Sequence, residues 1–104
     1  MRIFGIKTCD TCRKAQKSLP EANFVDIREN PLTTEFLEER LADFGAAFLN
    51  TRSTTWRNLD DQSRARAPLD LLSEYPTLMK RPLIEKDGVY YLGWTKDVQA
   101  ALGL

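Results

Sequence analysis

Two cysteines, Cys9 and Cys12 of the segment CDTC, are the residues of this chain best suited to carry chemistry. They stand where an apolar N-terminal strand gives way to a predicted helix. The first peptide N–H groups of a helix are unpaired and carry partial positive charge, so they stabilise a thiolate. A cysteine there can have its pKa lowered from about 8.5 to between about 3.5 and 7.5. Cys9 is therefore predicted to be a nucleophilic thiolate, with Lys7 and Arg13 adding positive charge nearby.

Cys12 has two interpretations. It lies one helical turn beyond Cys9, close enough to form a disulfide with it, and a C-x-x-C after a strand is a redox pattern in a cytosolic protein. Cys12 also shares a helix face with Ala15 and Leu19, so it can equally serve as a small apolar packing residue. Both interpretations stay open at this point.

The composition excludes several familiar kinds of site. The chain has no histidine, so a Ser-His-Asp triad, a histidine-assisted cysteine protease and zinc ligation by histidine are excluded. Two cysteines cannot make a Cys₄ zinc site or a disulfide-dense scaffold within one chain, and no metal site is predicted. Lys plus Arg and Asp plus Glu both number 15, so the net charge is zero and a nucleic-acid partner is not expected.

The apolar segments are too short to suggest a membrane or a secretory signal. The N-terminus has no apolar signal core, and the longest apolar stretch, Ala46 to Leu49, is far below the about 20 residues of a membrane span. We therefore expect a cytoplasmic protein. In that reducing compartment, two cysteines are more often catalytic, redox-sensing or metal-binding than a structural disulfide.

The cysteine pair lies inside a predicted strand–helix–strand segment. Apolar residues mark strands over Arg2 to Ile6 and Phe24 to Ile27, and a helix is predicted between them from about Thr11 to Leu19. A crossover of this length joins two parallel strands. Near the C-terminus, Asp87-Gly88 between two apolar runs indicates a β-hairpin.

The middle and the end of the chain are predicted to be helical. Pro31 and the pair Thr33/Thr34 indicate the start of one helix, which Gly45 ends, and short helices are expected around Trp56 and Gln62. A further helix is predicted from Pro68 with Leu69, Leu72 and Tyr75 inward, and a last one from near Thr95 that buries Val98, Ala101 and Leu102. The fold class is therefore α/β, a four-stranded mixed sheet flanked by helices, with a helical insertion in the middle.

Arginines provide the remaining candidates. Arg81, in the pair Arg81-Pro82, follows a turn and precedes a strand, and by itself it can be an ordinary surface charge. A second group of arginines crowds one stretch and could form an anion-binding face: Arg52, Arg57, Arg64 and Arg66. Asp60 and Asp61 lie among them, which favours a solvated face held by ion pairs.

Four motifs in order, FGIKTCDTCRKAQKSL, LNTRSTTWRNL, KRPLIEKDG and YLGW, resemble the arsenate reductase/Spx family of thioredoxin-like proteins. The likeness is greatest to the YffB-type branch of small, glutathione-linked members, and it covers nearly the whole chain. It implies a single thioredoxin-like domain over residues 1–104, with a helical insertion at about residues 30–78.

The resemblance also implies roles for individual residues. The first cysteine of the strand–helix turn is the nucleophile of this family, which corresponds to Cys9. The arginine of the Arg-Pro pair binds an oxyanion or stabilises the thiolate, which corresponds to Arg81, and the proline after it is cis, which corresponds to Pro82. Since no histidine is present, thiolate formation would depend on the helix start and on Arg81.

Two features depart from the arsenate reductases proper. Asn50 and Gly93 stand where those enzymes carry pocket arginines, and Arg52 is only an approximate match to one of them. Fewer arginines weaken the recognition of a compact oxyanion. Cys12 is typical of Spx-like regulators, which bind RNA polymerase and use the cysteine pair as a redox switch, whereas the NTRSTTWR block is YffB-like.

We therefore predict a monomeric, glutathione-dependent thiol reductase with no bound cofactor. Cys9 attacks an arsenic-like centre or a disulfide sulfur, and glutathione or Cys12 resolves the covalent intermediate. Arsenate reduction proper and Spx-like regulation are the alternatives. The predicted catalytic residues are Cys9, Cys12 and Arg81, and the predicted substrate-binding residues are Thr8, Asp10, Thr11, Arg52 and Pro82. Arg52 and Arg81 are expected to hold the two carboxylates of glutathione, unless Arg52 only pairs with Asp60 or Asp61.

Overall fold

A computed structural model describes residues 1–104 and contains one mixed sheet of four short strands. The strands are β1 (Arg2–Gly5), β2 (Asn23–Asp26), β3 (Leu83–Lys86) and β4 (Val89–Leu92). Their spatial order is β2-β1-β3-β4. Strand β1 pairs parallel with β2 and antiparallel with β3, and β3 pairs antiparallel with β4. The predicted parallel pair and the predicted hairpin are both confirmed.

Six α-helices connect and follow the strands: α1 (Asp10–Ser18), α2 (Thr34–Phe44), α3 (Thr54–Arg57), α4 (Asp61–Arg64), α5 (Pro68–Glu74) and α6 (Lys96–Ala101). Two 3₁₀ turns, Gly45–Phe48 and Pro76–Leu78, follow α2 and α5. Four of the helices begin at a side chain that accepts a backbone N–H bond, namely Thr33, Ser53, Asp60 and Thr95. These caps confirm the predicted starts of α2 and α6 and the two short helices between them.

The chain forms two compact units. The sheet unit consists of Met1–Asn30 and Arg81–Leu104, and it holds all four strands together with α1 and α6. The insertion unit consists of Pro31–Lys80 and holds the other four helices. The cysteine pair and Arg81 therefore belong to the sheet unit, whereas Arg52 belongs to the insertion unit.

The core of the sheet unit packs α1 and α6 against the sheet. Its buried members are Ile3, Ala15, Leu19, Ile84 and Leu102. The predicted inward face of α1 is confirmed, because Cys12, Ala15 and Leu19 are all buried. The prediction for α6 was only partly right: Leu102 is buried and Val98 half-buried, but Ala101 is exposed.

The insertion unit has a small core of its own. Its fully buried side chains include Phe48, Leu71, Leu72, Leu78 and Met79. The prediction that Leu69, Leu72 and Tyr75 point inward was partly right: Leu72 is buried, Leu69 and Tyr75 are half-buried, and Leu71 is buried as well. Leu69 lies in the first turn of α5, and Tyr75 follows its last helical residue, Glu74, so neither is in the middle of the helix where Leu71 and Leu72 are buried.

The hairpin between β3 and β4 closes through two residues with positive φ, Asp87 at 53° and Gly88 at 79°. This is the backbone that a two-residue turn between twisted strands requires, and Asp-Gly is a preferred pair for it. The Gly88 N–H donates to Oε2 of Glu85, 3.0 Å away. The sequence pattern therefore predicted both the hairpin and its turn.

Candidate functional site

Cys9 stands at the N-terminal end of α1, with extended backbone angles of −84° and 121°. Its N–H donates to the carbonyl of Ile6 at 3.0 Å, and its own carbonyl accepts the N–H of Arg13 at 3.0 Å. The turn that begins at Ile6 and the first hydrogen bond of α1 therefore hold the backbone of Cys9 from both sides. Its side chain is half-buried.

The sulfur of Cys9 favours its charged form. Burial by itself would raise the pKa of this thiol, but the N–H and thiol of Cys12, the Arg81 guanidinium and the N–H of Thr11 act in the opposite direction. Their combined effect lowers the pKa below its ordinary value. This direction agrees with the prediction made from the helix start, and a lower pKa increases the fraction of nucleophilic thiolate.

Cys12 behaves differently, although it lies only one turn away. Its exposed fraction is 0%, and a Cβ atom placed on Gly5 of β1 would lie 2.5 Å from its Sγ. Burial, followed by the hydrogen bond and the charge of Cys9, raises the pKa of Cys12 to about 12 against the lowering effects of the Ile6 N–H and Arg81. Cys12 is therefore a protonated thiol that donates to Cys9. Both cysteines are reduced in this structure.

The Arg81-Pro82 peptide bond is cis, as the family resemblance implied. Pro82 is buried, and its carbonyl accepts the N–H of Gly93 at 2.8 Å. Strand β3 begins at the next residue and pairs with β1, the strand that precedes the cysteine loop. Arg81 is half-buried, and its guanidinium is one of the groups that favour the Cys9 thiolate.

Asp26, which the sequence pattern did not single out, holds the loop in front of Cys9. Only 3% of this residue is exposed, and its carboxylate accepts the N–H of Lys7 at 3.0 Å and the N–H of Arg28 at 2.9 Å. Burial by itself would raise the pKa of Asp26. The N–H groups of Lys7, Arg28 and Glu29 and the Arg28 charge outweigh this effect, so the pKa lies below its ordinary value. The available signal was a lone acid inside the apolar run FVDI.

Basic side chains surround the same loop. An Arg28 guanidinium nitrogen lies 3.5 Å from Oγ1 of Thr8, and Nε of Arg13 donates to the carbonyl of Lys7 at 3.0 Å. The Lys7 ammonium pairs with Glu29 at 2.8 Å. Hydrogen bonds and an ion pair therefore connect the loop before Cys9 to the segment after β2 and to the first turn of α1.

The predicted substrate-binding residues fall into two groups. Thr8, Asp10 and Thr11 are exposed around Cys9, and Oδ1 of Asp10 lies 3.8 Å from a guanidinium nitrogen of Arg13. Together with Pro82, these residues belong to the sheet unit. Their roles in binding stay predictions.

Arg52 belongs to the insertion unit, where it is exposed and donates its N–H to Oδ1 of Asn50 at 3.1 Å. The alternative pairing with Asp60 or Asp61 is not present. Asp60 caps α4 by accepting the Ser63 N–H at 2.7 Å, and Asp61 lies 3.8 Å from Arg64. A role of Arg52 in glutathione binding stays a prediction.

Neither a metal-binding cluster nor a membrane-spanning helix is present in the structure. No group of three or more His, Cys, Asp or Glu side chains is arranged to hold a metal ion. None of the helices combines the length and the apolar character that crossing a membrane requires.

Two known proteins, one compared by sequence and one by structure, are similar to this chain over nearly its whole length. An uncharacterised protein of Haemophilus influenzae is 42% identical, covering 95% of this chain and 96% of the relative. A solved structure of a YffB protein superposes with a TM-score of 0.87 at 32% identity, covering 96% of both chains. This similarity confirms the thioredoxin-like sheet with its helical insertion.

A more distant relative is the global transcriptional regulator Spx 1 of Oceanobacillus iheyensis, 29% identical over 91% of this chain and 80% of the regulator. The sequence model that matches almost the whole chain, residues 4–102, is that of the ArsC family. The protein therefore belongs to the ArsC family.

Proposed function

We propose that this protein is a glutathione-dependent thiol reductase with Cys9 as its nucleophile. The observation that carries the proposal is the environment of Cys9, where helix-start N–H groups, a neutral Cys12 thiol and Arg81 together favour a thiolate. Membership of the ArsC family supports an oxidoreductase of this kind. We expect it to act as a monomer in the reducing cytoplasm, where glutathione is available.

The reaction begins when the Cys9 thiolate attacks one sulfur of a disulfide R–S–S–R′. A Cys9–S–S–R bond forms, and R′–S⁻ leaves and takes up a proton from solvent. A glutathione thiolate then attacks the R sulfur, which forms R–S–S–glutathione and returns Cys9 as a thiolate. The N–H groups of Thr11 and Cys12 and the charge of Arg81 stabilise Cys9 both as attacking and as leaving group.

The properties of Cys12 favour glutathione over Cys12 as the resolving thiol. Only a thiolate attacks a disulfide, and burial, the largest of the causes that raise the pKa of Cys12, persists when Cys9 is in a mixed disulfide and carries no charge. The sulfur is also fully buried against Gly5. Cys12 therefore contributes as a hydrogen-bond donor to Cys9, whereas an external thiol completes the cycle.

Two alternatives have support of their own. Arsenate reduction proper has the family membership in its favour, but Asn50 and Gly93 supply no cation to a compact oxyanion. Redox-dependent regulation has in its favour the cysteine pair and the relative named as a transcriptional regulator. Such a regulator would need a Cys9–Cys12 disulfide and a polymerase partner.

The test is turnover of bis(2-hydroxyethyl) disulfide with glutathione, compared between the parent, Cys9→Ser and Cys12→Ser. We expect Cys9→Ser to have no activity above the uncatalysed rate and Cys12→Ser to keep most of the parent activity. Equal turnover by the parent and Cys9→Ser would refute the proposal. Retention of bacterial RNA polymerase by the oxidised parent, without thiol turnover, would favour the regulator instead.

A further inference from the structure

We propose that Arg28, with the hydroxyl of Thr8, binds a carboxylate of the thiol co-substrate beside Cys9. The inference rests on the proposed function and names the chemical class of that co-substrate, an anionic peptide thiol such as glutathione. Arg28 and Thr8 are in contact because strands β1 and β2 pair in parallel.

Arg28 and Thr8 come together because β1 and β2 end at the same edge of the sheet. The register pairs Gly5 of β1 with Asp26 of β2, so the residues that follow these two strands emerge side by side. One guanidinium nitrogen of Arg28 lies 3.5 Å from Oγ1 of Thr8. Thr8 is the residue directly before Cys9, which places this pair of donors next to the nucleophile.

The Arg28 side chain is oriented by a buried acid but remains accessible. Its Nε lies 3.9 Å from Oδ1 of Asp26, while its backbone N–H donates to the same oxygen at 2.9 Å. Asp26 also accepts the N–H of Lys7, so its carboxylate is shared among several donors. Of the Arg28 side chain, 49% is exposed, so a ligand in solution can reach it.

The other cations of this loop already have exposed anionic partners. The Lys7 ammonium pairs with Glu29 at 2.8 Å, and Arg13 lies 3.8 Å from Asp10. Apart from its contact with Thr8, Arg28 pairs with the buried Asp26, 3.9 Å away, and with no exposed carboxylate. A guanidinium offers parallel N–H groups that fit a carboxylate with two hydrogen bonds, and the Thr8 hydroxyl can add a third.

The test compares an anionic and a neutral thiol as co-substrate for the same neutral disulfide, bis(2-hydroxyethyl) disulfide. The thiols are glutathione and 1-thioglycerol, a neutral thiol that differs from the one the disulfide releases, and the variants are Arg28→Gln and Arg28→Lys. Arg57→Gln is the matched control, since Arg57 is an exposed arginine of the insertion unit. Melting temperatures are measured for every variant.

We expect Arg28→Gln to lower kcat/KM for glutathione on the order of tenfold, the effect of losing a charged hydrogen bond. The value for 1-thioglycerol should not change, Arg28→Lys should retain part of the glutathione activity, and Arg57→Gln should match the parent. Equal losses with both thiols would overturn the inference, because Arg28 would then act only on the loop around Cys9. No loss with either thiol would overturn it as well.

A binding measurement separates this inference from the proposed function. S-methylglutathione keeps both carboxylates but cannot react, and it is titrated into the parent and into Arg28→Gln. Weaker binding by Arg28→Gln supports the inference even if the parent turns over no disulfide, in which case only the proposed function fails. Equal binding by parent and variant overturns the inference and leaves the proposed function standing.

Discussion

The pKa values of the Cys9 and Cys12 thiols are displaced in opposite directions, although only one helical turn separates the two residues. Cys9 is half-buried and reached by N–H groups and by the charge of Arg81, whereas Cys12 has no exposed surface at all. Burial acts on both sulfurs in the same direction, but only at Cys9 do the neighbouring donors outweigh it. The reactivity of the pair is therefore concentrated on one atom.

Alkylation rates test this difference directly. In Cys12→Ser, where the serine hydroxyl can still donate to Cys9, the remaining thiol should titrate below about 8.5, the ordinary cysteine value. In Cys9→Ser, the remaining thiol should react far more slowly with iodoacetamide at every pH up to that value, because it is buried and protonated. A Cys12→Ser protein whose alkylation midpoint lies at or above the ordinary value would contradict the helix-start argument.

At the scale of elements, the site depends on close packing of α1 on β1. Gly5 permits this approach, since a Cβ at this position would lie 2.5 Å from Sγ and 3.2 Å from Cβ of Cys12. Cys12 can therefore occupy its position only because the facing strand residue has no side chain.

Gly5→Ala should destabilise the fold by about 1–3 kcal/mol, the usual effect of inserting a methyl group into a packed core. Urea denaturation provides the measurement. The double variant Gly5→Ala/Cys12→Ala should recover part of the loss, because it removes the sulfur that the new methyl group meets. If the single variant were as stable as the parent, or if the second substitution restored nothing, the contact between Gly5 and Cys12 would not be important.

At the scale of the whole molecule, the pKa shifts determine how stability depends on pH. Buried Asp26 has a lowered pKa in the fold, so its contribution is present above the unfolded value of about 4 and is lost as pH falls through the folded value. Cys12 has a raised pKa, so its contribution is complete below about 8.5 and is lost as pH rises toward about 12. The lowered pKa of Cys9 has the opposite effect, because its contribution to stability increases as pH rises toward about 8.5.

Stability should therefore be greatest between about pH 5 and pH 8. The difference in unfolding free energy between the parent and Asp26→Asn should be about 1–3 kcal/mol at neutral pH and should shrink on acidification, because Asp26 then loses its charge. Cys12→Ala should lose less stability than the parent as pH rises above about 8.5. Urea denaturation across the pH range is the measurement, and a constant difference for both variants would be evidence against these assignments.

Features that depend on neighbours in the chain were predictable from the sequence. The Asp87-Gly88 turn, the caps Thr33 and Thr95, and the position of Cys9 at a helix start all follow from interactions within a few residues. The cis Pro82 came from the family resemblance, because the residues around a proline do not by themselves select the isomer.

Other features were decided by the tertiary structure, because they depend on which strands pair. The pairing of β1 with β2 brings Asp26 to the Lys7 N–H and Arg28 to Thr8, and no local pattern encodes that register. The pairing of β1 with β3 brings the start of β3, and with it Arg81, to the strand that leads into the cysteine loop. The sequence by itself predicted Cys9 as the reactive thiol. The long-range pairing of short strands determined which charges surround it, since electrostatic effects depend on distances in space.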